Sequence, residues 1–334
     1  MPAACHLVAL FSGGLDSILA CRLLQEQGAI VQAVRFATPF FGDDLLADPE
    51  GYAAQVRRQF GIEVLVRDVT APYLEMLARP AHGYGRHFNP CLDCKILLVT
   101  QARHLMEELG ADGIITGEVI GQRPMSQRRD TLRVVERDSG CTGLLLRPLC
   151  AKHLPPTTLE ERGLVDRQRL LDLAGRGRSG QIRLAARFGI EGYPSPAGGC
   201  LLTDPNLAAR IRALYAETGV PAAADLRLAL VGRQLRLPGG GWLALGRNQE
   251  ENERLAALAE PSDLVLTTPD WPGPTAILRR GDTEDLARAA GILVRFSRKR
   301  GRPDGPLPVA ITGASARHLT ASPLPNEVFQ DWQR

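Results

Sequence analysis

The sequence lacks the features of a membrane or secreted protein. No apolar run approaches the roughly 20 residues that are needed to cross a bilayer. The N-terminus has no charged segment followed by a long apolar stretch and a small-residue cleavage site, so it is not a signal peptide. The chain also has no internal repeat and no low-complexity tract. We therefore expect a folded cytoplasmic protein without membrane association.

Length and composition fit a chain with a substantial core. It has 334 residues, of which 44% are hydrophobic, and its mean hydropathy is -0.09. This suits one large domain or, as we expect, two ordinary ones. The net charge is only +3, but two stretches are rich in basic residues: Arg176, Arg178, Arg183 and Arg187, then Arg295, Arg298, Lys299, Arg300 and Arg302. Such runs are either solvated surface or a footprint for a polyanion such as RNA.

Predicted strands and helices alternate from residue 6 to about residue 117. The apolar patterns indicate strands at 6–11, 30–36, 63–69 and 113–116, with helices after the first strand and at 52–60 and 92–109. This βαβ order predicts an α/β fold with a doubly wound parallel sheet and helices on both faces. Ligands bind such folds at the carboxyl ends of the strands.

The pattern changes in the second half of the chain. A loop-rich region leads to a helix near 206–218 and a linker at 219–224. A hairpin over 226–245, a helix near 250–258, two short strands and a helix near 283–290 then predict a separate, smaller α+β domain. We thus divide the chain into a domain at 1–205, a helix and linker at 206–224, and a small domain at 225–334.

The first predicted strand ends in the turn Ser12-Gly13-Gly14-Leu15-Asp16-Ser17, which opens a helix. Two glycines allow backbone N–H groups to approach an anion closely, and the helix N-terminus and serine hydroxyls add further donors. The Gly-Lys-Ser/Thr ending of a Walker A loop is missing. We expect this turn to bind the phosphates of ATP, with Asp16 helping to hold Mg²⁺ against a departing pyrophosphate.

Three of the seven cysteines stand in a context that suggests chemistry, whereas Cys5, Cys21, Cys141 and Cys150 do not. Cys91 and Cys94 follow Asn89-Pro90 at the start of a predicted helix, where they share a face. We expect the helix dipole to lower the pKa of both thiols toward the thiolate. Cys200 follows the segment 196–199, which is flexible enough to return it to the pair.

Three readings of these cysteines stay open. Three thiolates without a fourth suggest a [4Fe-4S] cluster with one iron left open for hydrosulfide. A zinc ion would want a fourth ligand, which His87 offers. In the third reading, Cys94 or Cys200 carries a persulfide.

The glycine turn resembles that of the PP-loop ATP pyrophosphatase superfamily, over about the first 200 residues. Members split ATP into AMP and pyrophosphate and form a substrate adenylate. Asn89-Pro90 with Cys94 looks like the Asn-Pro-Asp-x-x-Cys motif of bacterial 2-thiouridine synthetases, and Cys200 matches their second catalytic cysteine. Cys91 stands where those enzymes have Asp, and this departure resembles the three-cysteine, cluster-dependent tRNA thiolases.

A further segment is similar to the region after the fourth strand of these enzymes. It comprises Thr116-Gly117-Glu118 and residues 121–127. The resemblance implies that it lines the nucleotide or the target base, and the alternative is an ordinary polar loop. The resemblance implies three sets of site residues. Cys94, Cys200 and Asp16 would be catalytic; Cys91, Cys94 and Cys200 would hold metal; and the nucleotide would be bound by Ser12, Gly13, Gly14, Asp16, Ser17, Thr116 and Gly117.

The small domain resembles the NFACT-type RNA-binding domain over about 60 residues. The similarity rests on residues 245–248, on Glu251-Asn252 and on Trp271-Pro272-Gly273-Pro274. It implies that Arg247 contacts phosphate and that Trp271 stacks on a base. The alternative is a small packing domain in which Trp271 fills the core.

Together these resemblances imply ATP-dependent sulfur transfer to a tRNA uridine through an adenylated base. The chain begins directly at its first strand, without the RNA-binding extension usual in 4-thiouridine synthetases, which favours 2-thiouridine. Expected partners are tRNA and a sulfur donor, either sulfide, a cysteine desulfurase or a sulfur carrier, with a homodimer left open. The rivals are sulfur or ammonia transfer to a small metabolite, a non-catalytic RNA-binding protein, and a zinc-stabilised regulatory protein.

Overall fold

The computed structural model describes residues 5–123, 125–195, 199–297, 305–314 and 316–333. The chain divides into two units, Met1–Asp204 and Pro205–Arg334, and each is described by itself. Within the described ranges, no helix combines the length and the apolar character that a membrane span requires.

The first unit is built on a parallel sheet of five strands in the order β3-β2-β1-β4-β5. The strands are β1 (His6–Leu10), β2 (Ile30–Ala37), β3 (Glu63–Asp68), β4 (Gly113–Thr116) and β5 (Leu145–Leu146). Chain order reverses between β1 and β4, which pair in register from Leu7 with Gly113 to Leu10 with Thr116. The predicted doubly wound α/β class is therefore confirmed, and the reversal puts the expected ligand crevice between the ends of β1 and β4.

Helices cover both faces of this sheet. They are α1 (Leu15–Gln25), α2 (Pro49–Phe60), α3 (Thr70–Ala78), α4 (Cys91–Leu109), α5 (Arg129–Asp138), α6 (Thr158–Glu161) and α7 (Ser179–Arg187). The alternating residues of β1 separate the two cores, since Leu7 packs with residues of α1, α2 and α7. Val8 packs instead with residues of α4 and α5. The period of two along a buried strand thus places one helix layer on each side.

Local signals explain where several of these helices begin and end. Asp48 caps α2 by accepting a hydrogen bond from the N–H of Gly51 at 2.9 Å, and Pro49 occupies the first helical position. Helix α4 ends at Gly110, whose φ of +60° is the left-handed conformation that glycine adopts readily.

The second unit combines an antiparallel sheet with helices. The sheet has the order β11-β10-β8-β9-β7-β6. Its strands are β6 (Arg233–Arg236), β7 (Trp242–Leu245), β8 (Leu264–Thr267), β9 (Ala276–Arg279), β10 (Leu307–Gly313) and β11 (Arg317–Ala321). The helices are α8 (Pro205–Thr218), α9 (Ala223–Ala229), α10 (Gln249–Leu258), α11 (Thr283–Phe296) and α12 (Asn326–Phe329). Apolar residues of α11 and the sheet form its core, so the expected α+β class is confirmed.

Three details of this unit differ from the sequence-based expectation. Residues 223–229, predicted as the end of a linker and the start of a hairpin, form α9, in which Leu226 and Leu228 are both fully buried. Helix α11 continues six residues past its predicted end because Gly291 does not terminate it. A Cβ at Gly291 would lie 3.1 Å from the Ser322 carbonyl, so this glycine allows close packing. Strands β10 and β11 were not predicted.

A buried arginine joins three segments of the second unit. Arg279, on β9, donates to the carboxylates of Asp263 at 2.7 and 2.9 Å and of Asp225, on α9, at 2.7 Å. All three side chains are at most 5% exposed. Because a buried charge is costly unless it is paired, this network fixes α9 to the sheet.

Candidate active site

The glycine turn connects β1 directly to α1 and is held by its own side chains. Gly13 has a φ of +75°, the region that favours glycine. The Ser17 hydroxyl donates to the Gly14 carbonyl at 2.7 Å and lies 3.2 Å from the Ser12 hydroxyl. The turn is therefore shaped by internal hydrogen bonds, and the N-terminus of the eleven-residue helix α1 follows it. This is the arrangement that favours an anion such as phosphate.

The end of β4 packs against this turn through Gly117. A Cβ at residue 117 would lie 2.4 Å from the carbonyl carbon of Asp16 and 2.5 Å from the Ser17 nitrogen. Those distances are shorter than any real contact, so only glycine allows this approach. Thr116, one residue earlier, is 2% exposed and donates its hydroxyl to Glu118 at 3.0 Å.

Asp16 faces the loop that follows β4. The Gln122 side-chain amide donates to Asp16 Oδ2 at 2.9 Å. Asp16 Oδ1 and Gln122 Oε1 are both buried and have no hydrogen-bond partner among the described residues. Buried acceptors are rarely left unpaired, and oxygens of this kind are the ligands that Mg²⁺ prefers. The donor set beside the glycine turn therefore fits a hard cation.

A cavity of about 240 Å³ opens beside the turn. Ser12, Gly13, Tyr52 and Gln55 are among its lining residues. Arg35, on β2, donates to the Ser12 carbonyl, while its Nε is buried without a partner among the described residues. Burial raises the pKa of the Tyr52 hydroxyl, and the nearby Arg35 charge partly offsets this. The predicted phosphate turn thus borders a cavity with polar and apolar lining residues, and the Arg35 guanidinium contacts the turn at Ser12.

Buried charges connect β4 to the cysteine-bearing helix. Glu118 is 3% exposed and lies 3.1 Å from the guanidinium of the fully buried Arg147 and 3.3 Å from the Lys95 ammonium. Arg147 also pairs with Glu136. Burial alone would raise the pKa of Glu118, but Lys95 and Arg147 outweigh it, so the pKa lies below its ordinary value. Glu118 is therefore a carboxylate held between two cations.

The structure places two of the three cysteines in one helix turn and the third at the start of a short 3₁₀ helix. Cys91 and Cys94 occupy the first turn of α4, and the N–H of Cys94 donates to the Pro90 carbonyl at 2.8 Å. Cys200 immediately precedes a 3₁₀ helix, Leu201–Thr203, and the charge of Cys91 acts on both Cys94 and Cys200. Residues 196–198, expected to provide the flexible return, lie outside the described part of the chain.

The expected lowering of the thiol pKa by the helix dipole is wrong for Cys94. Burial raises its pKa to about 12, and the neighbouring Cys91 and Cys200 add to this, against an opposing effect of Lys95. The pKa of Cys200 is also raised, mainly by burial and then by Cys91. Desolvation and like-charge repulsion exceed the dipole effect here, since both act on the thiolate directly.

The three thiols form a sulfur-rich set of possible metal ligands. Among the described residues, no three Cys, His, Asp or Glu side chains converge closely enough to hold a single metal ion. His87 has a φ of +60° and is exposed. Thiolates are soft ligands, the donor type used by both zinc and iron–sulfur sites. A buried thiolate without a partner is costly in free energy, and a bound metal would stabilise it by coordination.

Most of the NFACT-like motif makes contacts within the second unit. Asn248 caps α10 by accepting from the Glu251 N–H at 2.9 Å, and Arg247 pairs with Glu251 while its side chain stays 55% exposed. Asn252 accepts from the Thr275 N–H at 2.9 Å. Trp271 is partly buried against the core of the unit. These contacts therefore hold α10 against Thr275, the residue that precedes β9.

The second basic stretch lies outside the described residues from Arg298 to Arg302. Its first member, Arg295, is described and donates to the Asn326 side chain at 3.0 Å. In the first stretch, Arg176 and Arg183 are exposed, and Arg187 pairs with Glu26 at 2.7 Å.

Several residues at this site were not singled out from the sequence: Arg35, Tyr52, Lys95 and Arg147. Lys95 stands next to Cys94, and that adjacency was the signal that could have indicated it. The other three are single polar residues without a motif, so no local pattern indicated them.

The parallel sheet, the glycine turn and the flanking helices define a doubly wound α/β unit with a glycine turn at the carboxyl end of β1. Comparison with known proteins agrees with this class. Residues 3–153 match the family model described as thiamine biosynthesis protein (ThiI), and residues 232–333 match the model described as NFACT protein RNA binding domain. The predicted resemblance to PP-loop tRNA-thiolating enzymes with an RNA-binding-type domain is thereby confirmed.

Individual relatives match about a third to two fifths of the chain. The "Probable tRNA sulfurtransferase" of Thermococcus kodakarensis is 28% identical over 134 residues, which are 40% of this chain and 34% of the relative. The "tRNA-specific 2-thiouridylase MnmA 3" of Bacteroides fragilis strain YCH46 is 34% identical over 112 residues, 32% of this chain and 28% of the relative. The chain thus spans about a third of the length of the curated relatives it matches.

Solved structures give weaker likenesses. A 4-thiouridine synthetase–RNA complex with bound ATP has a TM-score of 0.35 and 20% identity, covering 66% of this chain and 52% of that one. The U34-tRNA thiolase NcsA from Methanococcus maripaludis, with its [4Fe-4S] cluster, has a TM-score of 0.34 and 16% identity, covering 67% and 70%. At such scores neither likeness supports a conclusion about this chain.

Proposed function

We propose that this chain is an ATP-dependent sulfurtransferase that converts a tRNA uridine into 2-thiouridine or 4-thiouridine. One observation carries the proposal, namely a path of contacts from the glycine turn to the cysteines. Gly117 packs on Asp16, and Glu118 pairs with Lys95, the neighbour of Cys94. A phosphate-binding turn and a set of sulfur ligands are thus joined at one end of one sheet.

The first half of the reaction activates the base. The uracil carbonyl oxygen attacks the α-phosphorus of ATP, an O–P bond forms, and the bond to the bridging oxygen of pyrophosphate breaks. Backbone N–H groups of Ser12–Ser17 and the N-terminus of α1 stabilise the charge that develops on pyrophosphate. Asp16, supported by Gln122, is the residue that we propose holds Mg²⁺. Activation is needed because an amide-like oxygen is a poor leaving group.

The second half replaces oxygen by sulfur. A sulfur nucleophile adds to the activated carbon, and AMP leaves with the former carbonyl oxygen. We propose that Cys91, Cys94 and Cys200 hold a [4Fe-4S] cluster, which when bound offers an open iron for hydrosulfide. The alternative that the same residues allow is a persulfide on Cys94 or Cys200. The charge of Lys95 favours the thiolate of Cys94, which both alternatives use.

The partners follow from this chemistry. The substrate is tRNA, the sulfur comes from sulfide, a cysteine desulfurase or a sulfur carrier, and the reaction belongs in the cytoplasm. We assign thiolation to residues 1–205 and RNA contact to the small domain, which is extended from the predicted 225–334 to include all of α9, with the NFACT match as support. A homodimer stays a prediction.

The test is mass spectrometry of nucleosides from bulk tRNA, with and without the gene. We expect one thiouridine to disappear on deletion, to return with the intact gene, and to stay absent with Cys91→Ser, Cys94→Ser or Cys200→Ser. A matched control is Cys5→Ala, which changes a cysteine far from the motif and should restore the product. Binding of ATP to the purified cysteine variants should survive.

An unchanged thionucleoside profile in the deletion strain would count against tRNA as the substrate. Pyrophosphate release with small sulfur acceptors would then indicate transfer to a metabolite. Full restoration by all three serine variants would overturn the role of the cysteines.

A further inference from the structure

Helix α7 begins at a residue that cannot cap it. Arg178 stands at the N-cap position, and its side chain makes no capping hydrogen bond. Favoured cap residues supply an acceptor oxygen, whereas a guanidinium has only donors. The first bond of the helical ladder runs from the Ile182 N–H to the Arg178 carbonyl at 2.9 Å. The N–H groups of residues 179–181 therefore precede the ladder and face out of this end of the helix.

Two side-chain donors at the same turn are buried. The amide nitrogen of Gln181 and Nε of Arg178 have no hydrogen-bond partner among the described residues. Gln181 is only 1% exposed. A helical side chain leans toward the N-terminus of its helix, so the Gln181 amide lies beside the open N–H groups. Because buried donors are rarely left unpaired, these two indicate an acceptor that binds from outside the chain.

Arginines dominate the charge near this turn. Residues 173–190 contain four arginines and no Asp or Glu. The acids that flank them, Asp172 and Glu191, are exposed. Glu26, on α1, pairs with Arg187 near the opposite end of α7. Within the described part of the chain, no carboxylate accepts from the two buried donors, so this turn has donors and positive charge without an acceptor.

Backbone contacts connect the start of α7 to the glycine turn. The N–H of Gly175, three residues before the N-cap, donates to the Ile120 carbonyl at 2.8 Å. A Cβ at Gly121 would lie 3.5 Å from the Gly175 nitrogen, so the two segments are in close contact. The next residue, Gln122, donates to the Asp16 carboxylate. Three residues span at most about 11 Å, so the first turn of α7 stays close to the loop that holds Asp16.

We propose that the first turn of α7 is a second phosphate-binding site. Its donors are the N–H groups of residues 179–181, the Gln181 amide and the Arg178 guanidinium. A phosphate group accepts several N–H donors at once and carries the charge that a helix N-terminus favours. The inference rests on the proposed function for the source of this phosphate, which is either a backbone phosphodiester of the RNA substrate or a phosphate of the nucleotide.

The first experiment measures the affinity of the full chain for two probes, an unmodified tRNA transcript and ATP. Gln181→Met keeps the length of the side chain and removes the donor. It should weaken the binding of one probe about 10- to 150-fold, the loss expected for a hydrogen bond to a charged group. A loss for the transcript alone assigns the site to an RNA phosphodiester, and a loss for ATP alone assigns it to the nucleotide. Unchanged affinity for both probes would overturn the proposal.

A matched pair of arginine variants tests the position of the charge. Arg178→Met should weaken the same probe as Gln181→Met. Arg183→Met removes the same charge from an exposed position one turn further along α7, and it should have a much smaller effect. Equal losses in the two arginine variants would indicate a diffuse electrostatic attraction and would overturn the defined site.

The second experiment separates binding from folding. Gln181→Met replaces an unpaired buried donor by an apolar side chain of similar length. Without ligand, its melting temperature should therefore equal or exceed that of wild type. A clear fall would show that the Gln181 amide has a partner within the chain, and the proposal would fail.

These measurements do not depend on sulfur transfer. If wild type thiolates a transcript and Gln181→Met binds both probes as wild type does, the phosphate site is wrong and the proposed function stands. If wild type thiolates no transcript but one probe still depends on Gln181, the proposed function fails and the phosphate site stands.

Discussion

Replacing Arg147 by methionine should strongly destabilise the first unit. Arg147 is fully buried, and its loss leaves Glu118, itself 3% exposed, with Lys95 as its remaining cation. Breaking a buried ion pair by removing one partner costs about 3–5 kcal/mol. For a unit of this size each kcal/mol lowers the melting temperature by about 2–4 °C, so calorimetry of Arg147→Met should show a fall of roughly 6–20 °C.

Two further variants decide whether the buried charge is the reason. Arg57→Met removes an exposed ion pair with Glu63 and should leave the melting temperature nearly unchanged. The double variant Arg147→Met with Glu118→Leu removes both buried charges. Its loss of unfolding free energy should therefore be smaller than the sum of the losses in the two single variants, by at least about 1 kcal/mol. Additive losses, or a fall no larger than that of Arg57→Met, would refute the reasoning.

Three other predictions follow from the site. Gly117→Ala should reduce pyrophosphate release at least about tenfold because its Cβ would collide with Asp16, whereas Gly177→Ala, where nothing lies within 4 Å, should not; equal rates would contradict this. Gln122→Leu should weaken ATP binding about tenfold in calorimetric titration, since it removes the donor to Asp16; unchanged affinity would show that Gln122 has no such role. Burial raises the pKa of Glu118, but the neighbouring cations Lys95 and Arg147 lower it by more, so the net pKa lies below the ordinary glutamate value of 4.5. The Glu118 carboxylate therefore stabilises the fold at pH values above 4.5. This contribution is lost as the pH falls through the lowered pKa. The melting temperatures of wild type and Glu118→Gln should therefore converge in acid, and parallel curves would count against the assignment.

Features encoded in short segments were predictable from the sequence. Alternating apolar runs predicted β1 to β4, and the spacing of Ser12 to Ser17 predicted a turn between β1 and α1. The start of α4 at Cys91 followed from Asn89-Pro90. In each case a few adjacent residues carry both the propensity and the boundary signal.

What failed depended on distant contacts. Leu226 and Leu228 have the alternating spacing of a strand. They form the short helix α9 instead, in which both side chains are fully buried, and this burial comes from contacts that the local sequence does not encode. Glu118 meets Lys95 and Arg147 across 23 and 29 residues of chain, which no local pattern encodes. The pKa of Cys94 was misjudged for the same reason, since burial is a property of the packed unit.

The Arg279 network also bears on where the second unit can be cut. The matched RNA-binding model begins at residue 232, whereas Asp225, on α9, lies before that boundary. A fragment that starts at 232 would keep Arg279 with Asp263 but without Asp225, and would expose the apolar surface that Leu226 and Leu228 now cover. A soluble fragment of this unit should therefore begin no later than α9, so the limit of sequence similarity falls inside the folding unit.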